Sequence, residues 1–265
     1  MLTTRILDGI CHLTLTSAKS RNALSLELIR GLTKTLNEIH DDQSIRVVVL
    51  GAEGPAFCSG HNLKEMNAAR EACEVNGHAS KEAQELKQTF EECSKMMEKI
   101  INLNQPVIAK VNGVATAAGC QLVATCDLAY ASPKSLFCTP GVNIGLFCTT
   151  PGVALGRAVG RKNAMHMLLT GDMVHAPEAA DMGLINEVVE EDELDAHVND
   201  AASLIASKSP TAIRIGKQAF YRQMDHNVHD AYNYGSTVMW QNIMAEDARH
   251  GIQAFLSKQP PKWQS

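Results

Sequence analysis

The stretch Ala56-Phe57-Cys58-Ser59-Gly60-His61-Asn62-Leu63-Lys64-Glu65-Met66 decides how this chain is read. A short apolar run ends in a glycine-containing turn, and the turn enters a helix. Further along, Ala117-Ala118-Gly119-Cys120-Gln121-Leu122 reads as a strand-to-helix turn whose helix starts near Ala118 and which leads to Cys126-Asp127. Each turn exposes free backbone N–H groups at a helix N-terminus, where the macrodipole favours an oxyanion. Two such donors converging on one carbonyl make an oxyanion hole, worth roughly 3–4 kcal/mol per donor in acyl chemistry. The plainer explanation of either turn alone is that small residues permit tight backbone turning. Together, and in this order, they point to a site.

Around these turns the chain alternates strand and helix. Residues 10–15 alternate apolar and polar with period two, as a half-buried strand does. Leu28, Ile29, Leu32, Leu36 and Ile39 follow a helical period, and residues 46–50 form a β-branched run closed by Gly51. Residues 67–80 lack periodicity and read as a mobile loop or loose helix, whereas residues 81–102 are helical in composition. Residues 106–111 and 127–131 read as strands that bracket the helix from Ala118 to about Thr125. Strand–helix–strand repetition with short links implies a mainly parallel sheet. Beyond residue 150 the segments 161–170, 177–184, 191–208, 210–224 and 227–255 read as helices. Gly152, Gly156 and Gly160, spaced by four, predict close backbone packing. The expected division is an α/β core over 1–195 and a helical region over 196–265.

Composition narrows the function. The 265 residues are 45% hydrophobic and 20% charged, which fits a folded globular protein. Lys and Arg total 24 against 29 Asp and Glu, a net charge of -5, and with 5% aromatic residues this gives no footprint for nucleic acid. No apolar run reaches the roughly 18–20 residues of a membrane span. The start, Met1-Leu2-Thr3-Thr4-Arg5, resembles neither a secretory nor a transit segment, so a cytoplasmic location is expected, with the mitochondrial matrix open if a transit peptide precedes this sequence. None of the eight cysteines forms a CxxC pair, so zinc-ribbon and thioredoxin readings fail and no metal is expected. Most of these thiols should pack as small hydrophobes. P-loop, dinucleotide, nucleophile-elbow and HExxH motifs are absent from the sequence.

The segments 56–66, 106–113 and 117–127, with Arg21-Asn22-Ala23-Leu24, Thr150-Pro151-Gly152, Leu169-Thr170-Gly171, Ala179 with Gly183-Leu184, and Phe255-Leu256-Ser257-Lys258, resemble the crotonase superfamily, the enoyl-CoA hydratase/isomerase family, over about residues 3–263. The resemblance implies a spiral of ββα units with a helical C-terminal oligomerisation region, assembled as a homotrimer or homohexamer. It also implies coenzyme A thioesters as substrate or ligand, within fatty-acid metabolism, with no permanently bound cofactor. The two oxyanion donors carry over to the N–H groups of His61 and Ala118. Coenzyme A contacts carry over to Ala23, Ser59, Gly60, Leu63 and Lys64, and Phe255 and Lys258 match positions that close that site.

Two departures stand inside the resemblance. The hydratases carry two glutamates as acid and base, and here those positions are Gln121 and Gly141. A Gln amide carries no proton at neutral pH, and losing such partners costs typically 10²–10⁴-fold each. No Asp or Glu occurs from Leu128 through Gly171. Substitute groups to consider are the His61 imidazole, Cys138, Thr139 and Asn143 beside Gly141, Cys148 as a nucleophile, and Glu71, Glu74 or His78 reaching in from the 67–80 segment. The departures in 59–65, 117–122 and 139–148 themselves resemble one branch of the superfamily. The leading reading is an acyl-CoA enzyme of the lyase or isomerase class with intact thioester activation and weak or absent hydration. A non-catalytic acyl-CoA-binding protein or oligomeric scaffold is the alternative. A Clp-type serine peptidase shares the architecture but would need a serine beside Ala118. On sequence alone, Gln121→Glu with Gly141→Glu should create hydration.

Overall fold

A computed structural model describes residues 1–263. Its main sheet runs in the order β1-β2-β3-β5-β7-β10, formed by Leu2–Leu7, Ile10–Leu15, Val47–Ala52, Val107–Val111, Leu128–Ala131 and Glu187–Val188. β1 pairs antiparallel with β2 as a hairpin, and every later pairing in this sheet is parallel. A second sheet has the order β4-β6-β8-β9, from Ala56–Cys58, Val114–Thr116, Leu136–Cys138 and Val174–His175. The pairs β3/β4, β5/β6 and β7/β8 each give one strand to either sheet, so the chain winds as a spiral.

The apolar run in β3 is explained by burial on both faces. Val48 and Leu50 join the large core with α1 (Leu26–Asp41) and α3 (Lys81–Ile101), while Val47 and Val49 face a second cluster. Leu194, Val198 and Ala202 of α8 (Leu194–Ala206) fill that second cluster. The expected boundary at 195/196 therefore falls inside a helix that belongs to the core. α1 starts at Ser25, whose hydroxyl accepts the N–H of Leu28 at 3.1 Å, and buries the five apolar residues read from the sequence. Of the two forms expected for the 67–80 segment, the helical one is found as far as residue 76: α2 spans Leu63–Asn76, capped by Asn62.

α4 (Ala118–Thr125) starts where expected, and α5 (Thr149–Ala158), α6 (Arg161–Thr170) and α7 (Ala176–Asp181) follow. Of the three spaced glycines, only Gly152 packs closely: a Cβ there would meet Leu168 at 3.2 Å, while Gly156 and Gly160 have nothing within 4 Å. α9 (Pro210–Gln223) is pinned to the core by Lys217, whose Nζ donates to the carbonyls of Ile100 (2.9 Å) and Gln105 (3.0 Å) and to Asp127 Oδ2 (2.7 Å). The helix expected over 227–255 breaks at Met244 and Ala245 into α10 (Val228–Ile243) and α11 (Glu246–Leu256). α10 buries no residue. No helix among the described residues is long and apolar enough to cross a membrane, and no His/Cys/Asp/Glu cluster among them has the makings of a metal site.

Candidate active site

The site begins with a loop sewn to a turn. Asn22 is fully buried with φ 52°, a left-handed conformation that Asn tolerates. Its Nδ2 donates to the carbonyls of Glu53 (2.9 Å) and Ala56 (2.8 Å), and its Oδ1 accepts the N–H of Ser17 at 2.8 Å. Ser59 N–H then donates to the Arg21 carbonyl (3.0 Å), Leu24 N–H to that of Gly60 (2.7 Å), and Asn62 N–H to that of Leu24 (3.2 Å). Leu24 thus brackets His61 in a parallel bridge. Successive peptide groups of an extended segment point to opposite sides, so the N–H of His61 faces away from Leu24.

On that other side lies the turn into α4. Gly60 has φ 82°, and a Cβ on it would stand 2.9 Å from the Thr116 carbonyl oxygen and 3.2 Å from Ala118 N. Gly119 is tighter still, since its Cβ would stand 2.0 Å from the Cys58 carbonyl oxygen. The two turns therefore lie backbone against backbone, a contact only glycine allows at these positions. Ala117, with φ 49° and ψ -117°, turns the chain sharply from β6 into α4, a conformation costing about 1–3 kcal/mol. Its own N–H is held by the Cys138 carbonyl at 2.9 Å. No side chain caps α4, and Ala118 at its first position is fully buried.

The side chains around this pair are polar but scarcely ionisable. Gln121, one turn into α4, is buried, and its Oε1 has no hydrogen-bond partner among the described residues. The His61 ring packs edge-on against Phe90 of α3 at 5.3 Å, and its Nε2 is likewise buried without a partner. Burial lowers its pKa from 6.5 to about 4, so the ring is neutral near pH 7. Gly141 has only its backbone to offer, and the Cys148 thiol lies against it, its pKa raised above the usual range by burial. A Cβ at Gly141 would stand 2.8 Å from both Cys148 Sγ and the Leu146 carbonyl oxygen. The space beyond Gly141 is thus filled by a thiol and a backbone carbonyl, so the pair of glutamate replacements expected to create hydration meets a steric obstacle at 141. All eight cysteines are buried and free, and burial pushes Cys58 and Cys93 up to about 12. They pack as small hydrophobes, not as nucleophiles.

The other expected residues divide into two groups. Ala23, Ser59 and Gly60 are drawn together by the bonds across Leu24, and Leu63 and Lys64 stand exposed on the first turn of α2 beside them. Phe255 and Lys258 are not joined to that rim by any hydrogen bond among the described residues. Phe255 is 83% exposed on α11, which packs on α9 and α10. Three of the groups considered as substitutes are engaged elsewhere. Glu71 accepts from Asn67 (2.8 Å), Glu74 pairs with Arg70, and Thr139 donates to the Met167 carbonyl at 2.9 Å. His78 and Asn143 are exposed and Cys138 is buried. Sequence reasoning missed Asn22 as the strut of the site and Cys148 as the filler behind Gly141. An Asn in the turn between β2 and α1 was the one available signal for Asn22, whereas nothing in sequence marks the contact of Cys148.

The enoyl-CoA hydratase/isomerase family model matches residues 5–265. The chain belongs to this family. Among curated proteins it is 46% identical over 259 residues to human enoyl-CoA hydratase domain-containing protein 3, mitochondrial, covering 98% of this chain and 82% of that one. The Xenopus laevis protein of the same name is 46% identical over 255 residues, 96% of this chain and 83% of that one. The solved structure of the human protein superposes with a TM-score of 0.91 at 44% identity, covering 99% of each chain. An enoyl-CoA hydratase structure from Mycobacterium smegmatis also gives 0.91, at 43% identity over 100% of this chain and 99% of that one. These relatives are the branch that the departures at 59–65, 117–122 and 139–148 resemble, and the fold is that of the family's crotonase spiral.

Proposed function

We propose that this family member binds acyl-CoA thioesters and holds the thioester oxygen between the N–H groups of His61 and Ala118. The observation that supports this most directly is the close approach of Gly60, the residue before His61, to the start of α4, where a Cβ on Gly60 would stand 3.2 Å from Ala118 N. Donors placed in this way polarise the carbonyl, make the C2 proton more acidic and favour an enolate over the ground-state thioester. Ala23, Ser59, Gly60, Leu63 and Lys64 form the rim that would receive the coenzyme A portion, with the Lys64 ammonium available to a phosphate. Phe255 and Lys258, exposed in the tail, are assigned to closing a site in the assembled oligomer.

Hydration is expected to be slow. Adding water across a double bond needs one group to take a proton and another to give one. Gln121 does neither, Gly141 has no side chain, and the neutral ring of His61 is poorly basic at about 4. The reading that remains is a lyase- or isomerase-type acyl-CoA enzyme with altered proton transfer. A non-catalytic acyl-CoA binder or scaffold is favoured in turn by the filled space at Gly141. Incubating the purified protein with a panel of acyl-CoA thioesters, read by mass spectrometry, separates the two. Water gained by an enoyl-CoA at an enzymatic rate would overturn the argument from Gln121 and Gly141. Loss of the acyl group or of carbon dioxide would point to thioesterase or decarboxylase chemistry. An unchanged mass on exchange into deuterated water, with binding confirmed, would favour the non-catalytic reading.

Exposed Val228, Tyr232, Met239 and Trp240 on α10 support assembly into a homotrimer or homohexamer, to be read by light scattering. The mitochondrial names of the frog and human relatives support the matrix that the sequence leaves open beside the cytoplasm.

A further inference from the structure

α9 buries a single residue, and that residue is charged. From Pro210 to Gln223 only Lys217 is buried, and α10 after it buries none. The three protons of the ammonium all point into the fold. They go to the carbonyl of Ile100 in the last turn of α3, to that of Gln105 in the link to β5, and to Asp127 Oδ2. Asp127 is engaged as fully. Its Oδ2 also accepts the N–H of Val107 at 2.7 Å, its Oδ1 accepts the Tyr221 hydroxyl of α9 at 2.9 Å, and its own N–H donates to the Val107 carbonyl at 2.9 Å. Asp127 stands two residues beyond Thr125, the last residue of α4. One buried ammonium thus gathers the far ends of α3 and α4 onto α9.

Stability alone is a weak reason for this arrangement, because apolar residues of similar volume often hold a buried site as well as an ion pair does. What the pair adds is direction. Charge-assisted hydrogen bonds fix where a group sits, whereas apolar burial is non-directional. The ends fixed here belong to the elements that carry the site. α4 has eight residues and a length of about 12 Å, so a tilt of about 5° about its far end moves its near end by about 1 Å. That near end is Ala118. α3, tied at the same ammonium, carries Phe90 against the His61 ring at 5.3 Å. We infer that Lys217 is a positioning residue of the thioester site: from α9, and through Asp127, it fixes the far ends of α3 and α4 and thereby the place of the donors at His61 and Ala118. The docking of the C-terminal helices and the binding of a thioester are linked through this one side chain. This inference rests on the thioester site proposed above.

Isothermal titration of the full chain with butyryl-CoA and with free CoA, before and after Lys217→Met, tests it. The stretch of an isotope-labelled thioester carbonyl, read by infrared spectroscopy, is followed in each butyryl-CoA complex. Free CoA can reach the rim but has no carbonyl for the donors, so a displaced α4 is felt by the thioester alone. Lys217→Met should weaken butyryl-CoA about tenfold, leave free CoA within about twofold, and return the carbonyl band toward that of the thioester in solution. Tyr221→Phe removes one donor to Asp127 and keeps the ring. It should act in the same direction by about two- to threefold, and it decides where Lys217→Met does not fold. Both ligands weakened alike, neither weakened, or a loss confined to the thioester with an unmoved band would each overturn the positioning role and leave the thioester site standing. If the unaltered protein binds butyryl-CoA no better than free CoA, or leaves the carbonyl band where it is in solution, the thioester site fails and the positioning role with it.

Discussion

Replacing Gly119 by alanine places a methyl carbon 2.0 Å from the Cys58 carbonyl oxygen, 2.7 Å from its carbonyl carbon and 2.9 Å from its Cβ. Ordinary contact begins at 3.4 Å, so β4 and α4 must part by about 1.4 Å to admit it. Both obstructing groups are backbone or bonded directly to it, so no rotamer relieves the overlap. Overpacking typically costs 1–3 kcal/mol, and here the upper end, about 3 kcal/mol, is expected. For a chain of this size that is a fall in Tm of about 6–12 °C. The same movement separates the N–H groups of His61 and Ala118. A misplacement of about 1 Å at a reacting centre costs on the order of 100-fold in rate, so any turnover found for this protein should drop by that much. Melting followed by circular dichroism and titration with butyryl-CoA measure the two effects. Gly156→Ala is the matched control: nothing lies within 4 Å of that position in α5, so the change should stabilise the helix by about 0.5–1 kcal/mol. If Gly119→Ala melts and binds thioester like the unaltered protein, the two turns are not packed backbone against backbone, and the argument for paired donors fails.

Gln121→Glu with Gly141→Glu should remain inactive on crotonyl-CoA and melt lower than the unaltered protein. The new side chain at 141 would start 2.8 Å from Cys148 Sγ and the Leu146 carbonyl. A stable, hydrating double variant would refute this. The buried ring of His61 makes stability depend on pH. Its folded pKa of about 4 lies below the ordinary 6.5, so as pH falls through that window the unfolded chain takes the proton first. Stability should decline from about pH 6.5 to about 4 and level off below, by up to about 3 kcal/mol, with His61→Gln flattening the curve in urea melts. An unflattened slope would place the titration elsewhere. Lys217→Met should destabilise by about 3–5 kcal/mol, because it strands the Asp127 carboxylate that also accepts from Val107 N–H and Tyr221. Chemical denaturation measures this, and a loss under about 1 kcal/mol would show the pair is dispensable.

Legibility tracked the length of each element. The buried strands at 10–15 and 46–50 and the helix bearing Leu28 to Ile39 were readable because period and burial coincide over several residues. The second sheet was not: β4, β6 and β8 have three residues each and β9 two, too short to show a period. β1, exposed along most of its length, hid behind polar residues on the edge of the main sheet. The helix over 63–76 was blurred because only Cys73 is buried along it. Phe255 and Lys258, expected at the site by resemblance, lie in the tail of the single chain.

By itself the sequence determined the family and the placement of both turns. These are properties of residue identity along the chain, and local backbone preference carries them. Tertiary structure alone decided that Gly60 and Gly119 press the turns together, that Asn22 ties three segments, and that Cys148 fills the space behind Gly141. It also left Gln121 Oε1 without a partner among the described residues. Each of these is a contact between residues distant along the chain or a missing neighbour. Close packing determines such features only once the whole chain is folded.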